Sequence, residues 1–195
     1  MGALTILLLT IVVSLIGLLS HKVIERAVLR PYCVARHQGY PRLVTSGFVH
    51  ADLGHLLFNL ITFYSFAFPL ERTLGTARFV ALYFSGLLLS GIGTCVKHRN
   101  DPNYASLGAS GAILAVLFAS IVYFPQQRLL MLPIPIPIPG PLFALAYLAF
   151  SYYSSRHSRG RINHDAHIGG ALTGLVFVAL TDPERYEALL KSLTM

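Results

Sequence analysis

The chain is short of charge and of cysteine, and each shortage closes a route. Only 12% of its 195 residues are charged and 54% are hydrophobic, against about 25% charged in an ordinary soluble domain. A soluble enzyme is thereby excluded, and a single integral membrane domain accounts for residues 1–195. The two cysteines, Cys33 and Cys95, have no CxxC spacing and no zinc-like partners nearby, and they read as free thiols. There is no HExxH. His50, His55, His164 and His167 have no carboxylate or thiolate to complete a usual ligand set, so no metal and no other cofactor is expected. Eight acidic residues against fifteen Lys and Arg leave a net charge of +7. The basic residues form no dense stripe interleaved with aromatics, which argues against nucleic acid and for loops beside anionic lipid. No Lys or Arg precedes the first apolar run, and no small-x-small site follows it. It therefore reads as a retained span rather than a signal peptide. No repeat of solenoid period is present.

What is there is apolar helix. A spanning helix needs about 20 mostly apolar residues, and six segments come near that, roughly 3–20, 51–70, 79–96, 108–124, 139–155 and 166–181. The connection from His21 to Val49 is long and mixes apolar with charged residues, so it is expected to lie partly in the membrane interface, packed on the bundle. The stretch "LPIPIPIPGP", with prolines at 133, 135, 137, 139 and 141, is expected to be extended, polyproline-like and a stiff lead into the fifth helix. Lys and Arg number five in the loops on the N-terminal side and ten on the opposite side, Arg159 and Arg161 among them. That count alone favours an outside N-terminus.

Polar groups inside a membrane are costly and need a reason. In "YASLGASGAILAV" a serine, Ser110, opens an apolar helix, where the positive end of the helix dipole favours a developing alkoxide. Gly111, Ala115 and Ala119 continue as a small-residue ridge. Taken alone this is helix packing more readily than catalysis, and Ala112 departs from the G-x-S-x-G of soluble hydrolases. In "NHDAHIGGALTGL", His167 is followed by Gly170 and Gly174 at offsets of three and seven, on one face. If that glycine face meets the Gly111–Ala115 ridge, Ser110 and His167 meet at one depth, and a neutral imidazole can take the serine proton. A capping histidine would explain His167 but not the matched faces. In "HADLGHLLFNL", His55 and Asn59 are four apart on one face, with His50 a turn earlier. An asparagine in an apolar segment must find a partner; its amide can serve as interhelical glue or donate to an oxyanion. In "LERTLGTARF", Glu71 and Arg72 read as capping charges at a turn through Gly75, with no chemistry.

Together these residues resemble the rhomboid family of intramembrane serine proteases. His50, His55 and Asn59 match its H-x(4)-H-x(3)-N, Gly108 to Gly111 its G-x-S-G, and Ala166, His167, Gly170 and Gly174 its A-H-x-x-G-x-x-x-G, in order and on the corresponding spans. The E-R-x-x-G after the second span and Arg42 in the first loop also fit. The resemblance implies an all-α membrane protein, a six-transmembrane-helix rhomboid-like bundle with a long interfacial first loop, of the minimal core type. It implies Ser110 as nucleophile and His167 as general base, a dyad without an acid, Asp165 being the weaker idea for orienting the base. Asn59, His55 and the backbone around Gly108, Ala109 and Ser110 would stabilise the oxyanion. His50, Arg42 and Tyr104 would support the loop and hold water in a polar cavity. The substrates implied are single spans of other membrane proteins in the lipid bilayer, and the location a bacterial inner (plasma) membrane with cytoplasmic termini, which the motif match favours over the charge count. Two positions depart from the family: Pro41 precedes Arg42 where an aromatic is frequent, and Leu114 stands where an aromatic can stack on the catalytic histidine. A rhomboid-like protein that binds client helices without cutting them is the competing class.

Overall fold

In the computed structural model, residues 1–131, 134–157 and 162–193 are described. Pro133, Arg159 and Arg161 fall outside them. Apolar runs become helices because a backbone out of water must bond to itself. Helix α1 (Gly2–Leu19) is followed by three short helices, α2 (His21–Ala27), α3 (Pro31–Val34) and α4 (Arg42–Thr45), and a 3-10 turn at Ser46–Phe48. The expected first loop is thus a string of small helices, with α3 and α4 packed on the helix Thr76–His98. Next come α5 (Leu53–Leu74), α6 (Thr76–His98), α7 (Ser110–Tyr123), strands β1 (Arg128–Met131) and β2 (Ile134–Pro139), then α8 (Gly140–His157), α9 (His164–Thr181) and α10 (Arg185–Leu193).

All six expected segments contain a long helix, with shifted ends. Helix α5 continues past the expected end, through Pro69, and stops at Gly75, whose φ of +78° an L side chain rarely adopts. Among the described residues, three helices are long and apolar enough to cross a membrane, α1, α5 and α6; α9 with α10, bent by 113°, makes a fourth if counted as one span. Helix α7 explains part of the shortfall. Its 14 residues reach only about 21 Å, less than the ~30 Å hydrocarbon core, and it is shielded instead by protein: Gly111 through Tyr123 are all buried.

The fold is not wholly helical. The Ile-Pro stretch is no isolated polyproline lead; it pairs antiparallel with β1, Arg128 opposite Pro139 and Leu129 opposite Ile138. Alternation makes this possible. In a two-stranded ribbon every second N–H faces away from the partner, so prolines at those positions remove nothing, and the isoleucines between them keep their donors.

Helices α6, α7 and α9 form the centre. A Cβ on Gly170 would meet the Gly111 carbonyl, and one on Gly174 the Ala115 carbonyl, so α9 lies backbone against backbone on α7. From the other side a Cβ on Gly86 would come within 2.5 Å of the Ala115 Cβ. Glu71 does cap a helix, but the one it caps is α1: its carboxylate accepts from the N–H groups of Gly2 (2.7 Å) and Ala3 (3.0 Å) and from the Thr76 hydroxyl (2.8 Å). That satisfies donors every helix start leaves open.

Candidate active site

The stretch ahead of α7 is held on three sides. Leu29 and Ser106 exchange backbone hydrogen bonds (2.9 and 3.0 Å), Gly108 N–H donates to the Ser46 carbonyl (2.9 Å), and Ala109 N–H donates to His50 Nε2 (3.5 Å). With Nε2 accepting, His50 Nδ1–H faces Ser14 Oγ (2.8 Å), and the Ser14 hydroxyl donates to the Phe48 carbonyl (2.8 Å). His50 is therefore a fully buried strut between α1 and the loop before Ser110. It joins the loop to α1 and does not line the cavity.

Gly108 has φ +108°, and a Cβ there would lie 2.7 Å from His55 Cε1. Glycine lets the His55 ring lie against the backbone just before Ser110. The N–H groups of Gly108 and Ala109, expected as oxyanion donors, are already engaged by Ser46 and His50. Asn59 is 7% exposed and its Nδ2 has no partner among the described residues. A buried amide without a partner costs roughly 1–3 kcal/mol. Helix α5 thus presents His55 and Asn59 one turn apart on the cavity wall.

Ser110 opens α7 and His167 lies in the first turns of α9. With α7 and α9 in backbone contact, Ser110 Oγ and His167 Nε2 are 2.9 Å apart. Both line a cavity of about 990 Å³, as do His55, Asn59, Tyr104 and His164. Tyr104 stacks on His98, centroids 3.6 Å apart. Burial, then Asp165 and Asp101 nearby, push its phenol up to about 12, so it stays neutral. Arg42 is half-buried in α4 beside Gly39 and outside the cavity lining. Asp165 does not orient His167; it pairs with Lys97 at 2.6 Å.

Two residues, Tyr147 and Asn163, escaped sequence reasoning. Tyr147, on α8, has its hydroxyl 2.9 Å from His167 Nδ1 and its ring near parallel to the imidazole (27°, centroids 6.3 Å). His167 thus has an aromatic neighbour although position 114 is leucine. Asn163 caps α9 through Ala166 N–H (3.0 Å) and donates to Thr94 Oγ1 (2.9 Å) and Ser106 Oγ (3.1 Å). An asparagine just ahead of a helix signals the cap, but no local signal announces the other two bonds. His164 is buried with Nδ1 unpartnered among the described residues.

Fold and site together define a helical membrane protein in which a serine and a histidine from two tightly packed helices face a cavity of mixed polar and apolar lining. The family model described as "Rhomboid domain" matches residues 37–183. The chain is 44% identical over 148 residues to YdcA of Bacillus subtilis (strain 168), provisionally named a rhomboid protease, covering 74% of this chain and 69% of that one. It is 32% identical over 142 residues to the human mitochondrial presenilin-associated rhomboid-like protein, covering 70% of this chain and 36% of that one. It is 28% identical over 149 residues to the mitochondrial RHOMBOID-like protein 12 of Arabidopsis thaliana, covering 69% and 44%. The match thus spans less than half of the length of these mitochondrial relatives. The chain belongs to the rhomboid family and is an integral membrane protein.

Proposed function

We propose that this chain is an intramembrane serine protease that cleaves spans of other membrane proteins. The supporting observation is the 2.9 Å approach of Ser110 Oγ to His167 Nε2 on the wall of a cavity that also holds an unpartnered Asn59 amide. The six long helices α1, α5, α6, α7, α8 and α9 are its six spans, α7 surrounded by the others. The cavity keeps water at the reacting groups below the membrane surface, and the membrane is the plasma membrane of a bacterium.

His167 Nε2 takes the Ser110 proton as Oγ attacks the scissile carbonyl. The carbonyl π electrons move onto oxygen, and the oxyanion is met by the Asn59 amide, the His55 ring and the Ser110 N–H. When the C–N bond breaks, Nε2 returns its proton to the leaving amine, and a cavity water hydrolyses the acyl-enzyme by the same steps in reverse roles. A substrate helix hides its carbonyls in hydrogen bonds, so spans with Gly or Pro near the surface are preferred for local unwinding. Helix α8, led in by the Ile-Pro ribbon, is the element that moves to admit them.

The test is cleavage of a reconstituted single-span substrate together with labelling by a fluorophosphonate. Ser110→Ala and His167→Ala are each expected to lose labelling and at least about 1,000-fold in cleavage. Full cleavage by Ser110→Ala overturns the reading. Wild-type chain that binds the span without cutting it establishes the client-binding class instead.

A further inference from the structure

Resting on that protease reading, we infer that Tyr147 is the positioning residue for His167: its phenol oxygen accepts the Nδ1 proton and so leaves Nε2 bare for Ser110. Nothing in the motifs supplies this function, since no carboxylate stands behind the imidazole and Asp165 is bound to Lys97.

Two arrangements fit the 2.9 Å separation of the Tyr147 hydroxyl and His167 Nδ1. If the phenol donated, the ring proton would sit on Nε2 and point at Ser110 Oγ, and the imidazole could not act as a base. If Nδ1–H donates to the phenol oxygen, Nε2 is free to accept. The choice depends on where the phenol proton goes. One turn along α8, Ser151 is fully buried and faces the same phenol. Its Oγ has no hydrogen-bond partner among the described residues, and a buried hydroxyl without one is costly, so it is an open acceptor for the phenol proton. With Tyr147 O–H donating to Ser151, the chain of donors runs one way: Ser110 O–H to His167 Nε2, His167 Nδ1–H to Tyr147, Tyr147 O–H to Ser151. During attack only the serine proton changes owner. The new imidazolium keeps its Nδ1–H on the phenol oxygen, which also stabilises its charge.

The phenol is well seated for this. Its ring stacks on Phe143 (5.5 Å, 24°) and tilts against Phe118 of α7 (6.0 Å), so α7, α8 and α9 all contribute to its placement.

Tyr147→Phe keeps the ring and removes only the hydroxyl. In the reconstituted assay kcat is expected to fall about 10-fold with KM unchanged, and fluorophosphonate labelling to slow in parallel. The decisive readout is the 15N spectrum of the histidine side chains, with His167 assigned by difference from His167→Ala. Wild type should show His167 protonated on Nδ1, and Tyr147→Phe a mixture of the two tautomers. Wild-type kcat, or a lowered kcat with the tautomer unchanged, overturns the inference. Ser110→Ala, run alongside, separates the two claims: if it cleaves, the protease reading fails; if it is dead while Tyr147→Phe behaves as wild type, only this inference does.

Discussion

Helix α7 meets α9 backbone against backbone, whereas α8 meets the same two helices through aromatic rings. On the first contact there is no room for a Cβ at Gly170 or Gly174. On the second, rings of Phe118, Tyr147, Phe150 and the two histidines of α9 touch at 5.6–6.3 Å, and only Gly140, Ser151 and Ser154 of α8 are buried. Backbone contact has a steep repulsive wall and fixes the spacing of Ser110 and His167. Ring contact is shallower and can be broken and remade at small cost. Ser110 and His167 therefore sit on the stiff part, and the phenol that faces the imidazole sits on the part best able to move.

The largest expected effect comes from breaking the stiff contact. In Gly170→Ala the new Cβ would overlap the Gly111 carbonyl, so either α9 must move off α7 or α7 must press further onto α6, where Gly86 already meets Ala115 closely. We expect a loss of roughly 2–4 kcal/mol, read as a lowered Tm in detergent, with fluorophosphonate labelling abolished. Wild-type Tm and labelling would show that the two helices can separate freely and would remove the contrast with α8.

Asn163→Ala should rank second. It removes the α9 cap and two side-chain bonds at once, to Thr94 on α6 and to Ser106 beside the loop that carries Ser110. A lost cap costs about 1 kcal/mol and partly buried hydrogen bonds about as much again, so a destabilisation of about 1–2 kcal/mol is expected. Asn163→Asp keeps the acceptor for Ala166 N–H and loses the donors, and its Tm should fall between the other two. Equal Tm values for Asn163→Ala and wild type would mean that the three elements are held without it.

The stiff part was the legible part. His167, Gly170 and Gly174 lie on one helical face by spacing alone, and the Gly111–Ala115 ridge offers the matching surface, so the meeting of α7 and α9 could be read from residues. So could the shared face of His55 and Asn59. Tyr147 could not. Helix α8 carries rings at Phe143, Tyr147, Phe150, Tyr152 and Tyr153; the first three share one face at i, i+4 and i+7, but nothing in the spacing says that this face meets α9 rather than lipid. The bonds of Glu71 to the start of α1 and of Asn163 to Thr94 join residues 68 or more positions apart, beyond any local pattern. The Ile-Pro stretch fits a polyproline helix and a ribbon edge equally well, and its partner RLLM is too short to decide.

The smallest effect should come from the loose contact. Phe143 stacks on Tyr147 and is half-buried. In Phe143→Leu most of the volume remains and one aromatic pair is lost, worth about 0.5–1.5 kcal/mol at a buried site and less where lipid can replace the ring. The Tm should move by no more than about 2 °C. The rate should be more sensitive than the stability, because the lost ring helps to seat the phenol that faces His167 Nδ1. A fall of about 2–3-fold in fluorophosphonate labelling, with Tm nearly constant, is the expected signature. That pattern reverses the one for Asn163, where stability is the more sensitive quantity. If Phe143→Leu instead lowered Tm as far as Gly170→Ala does, α8 would be held as firmly as α9, and a movable α8 would lose its physical basis.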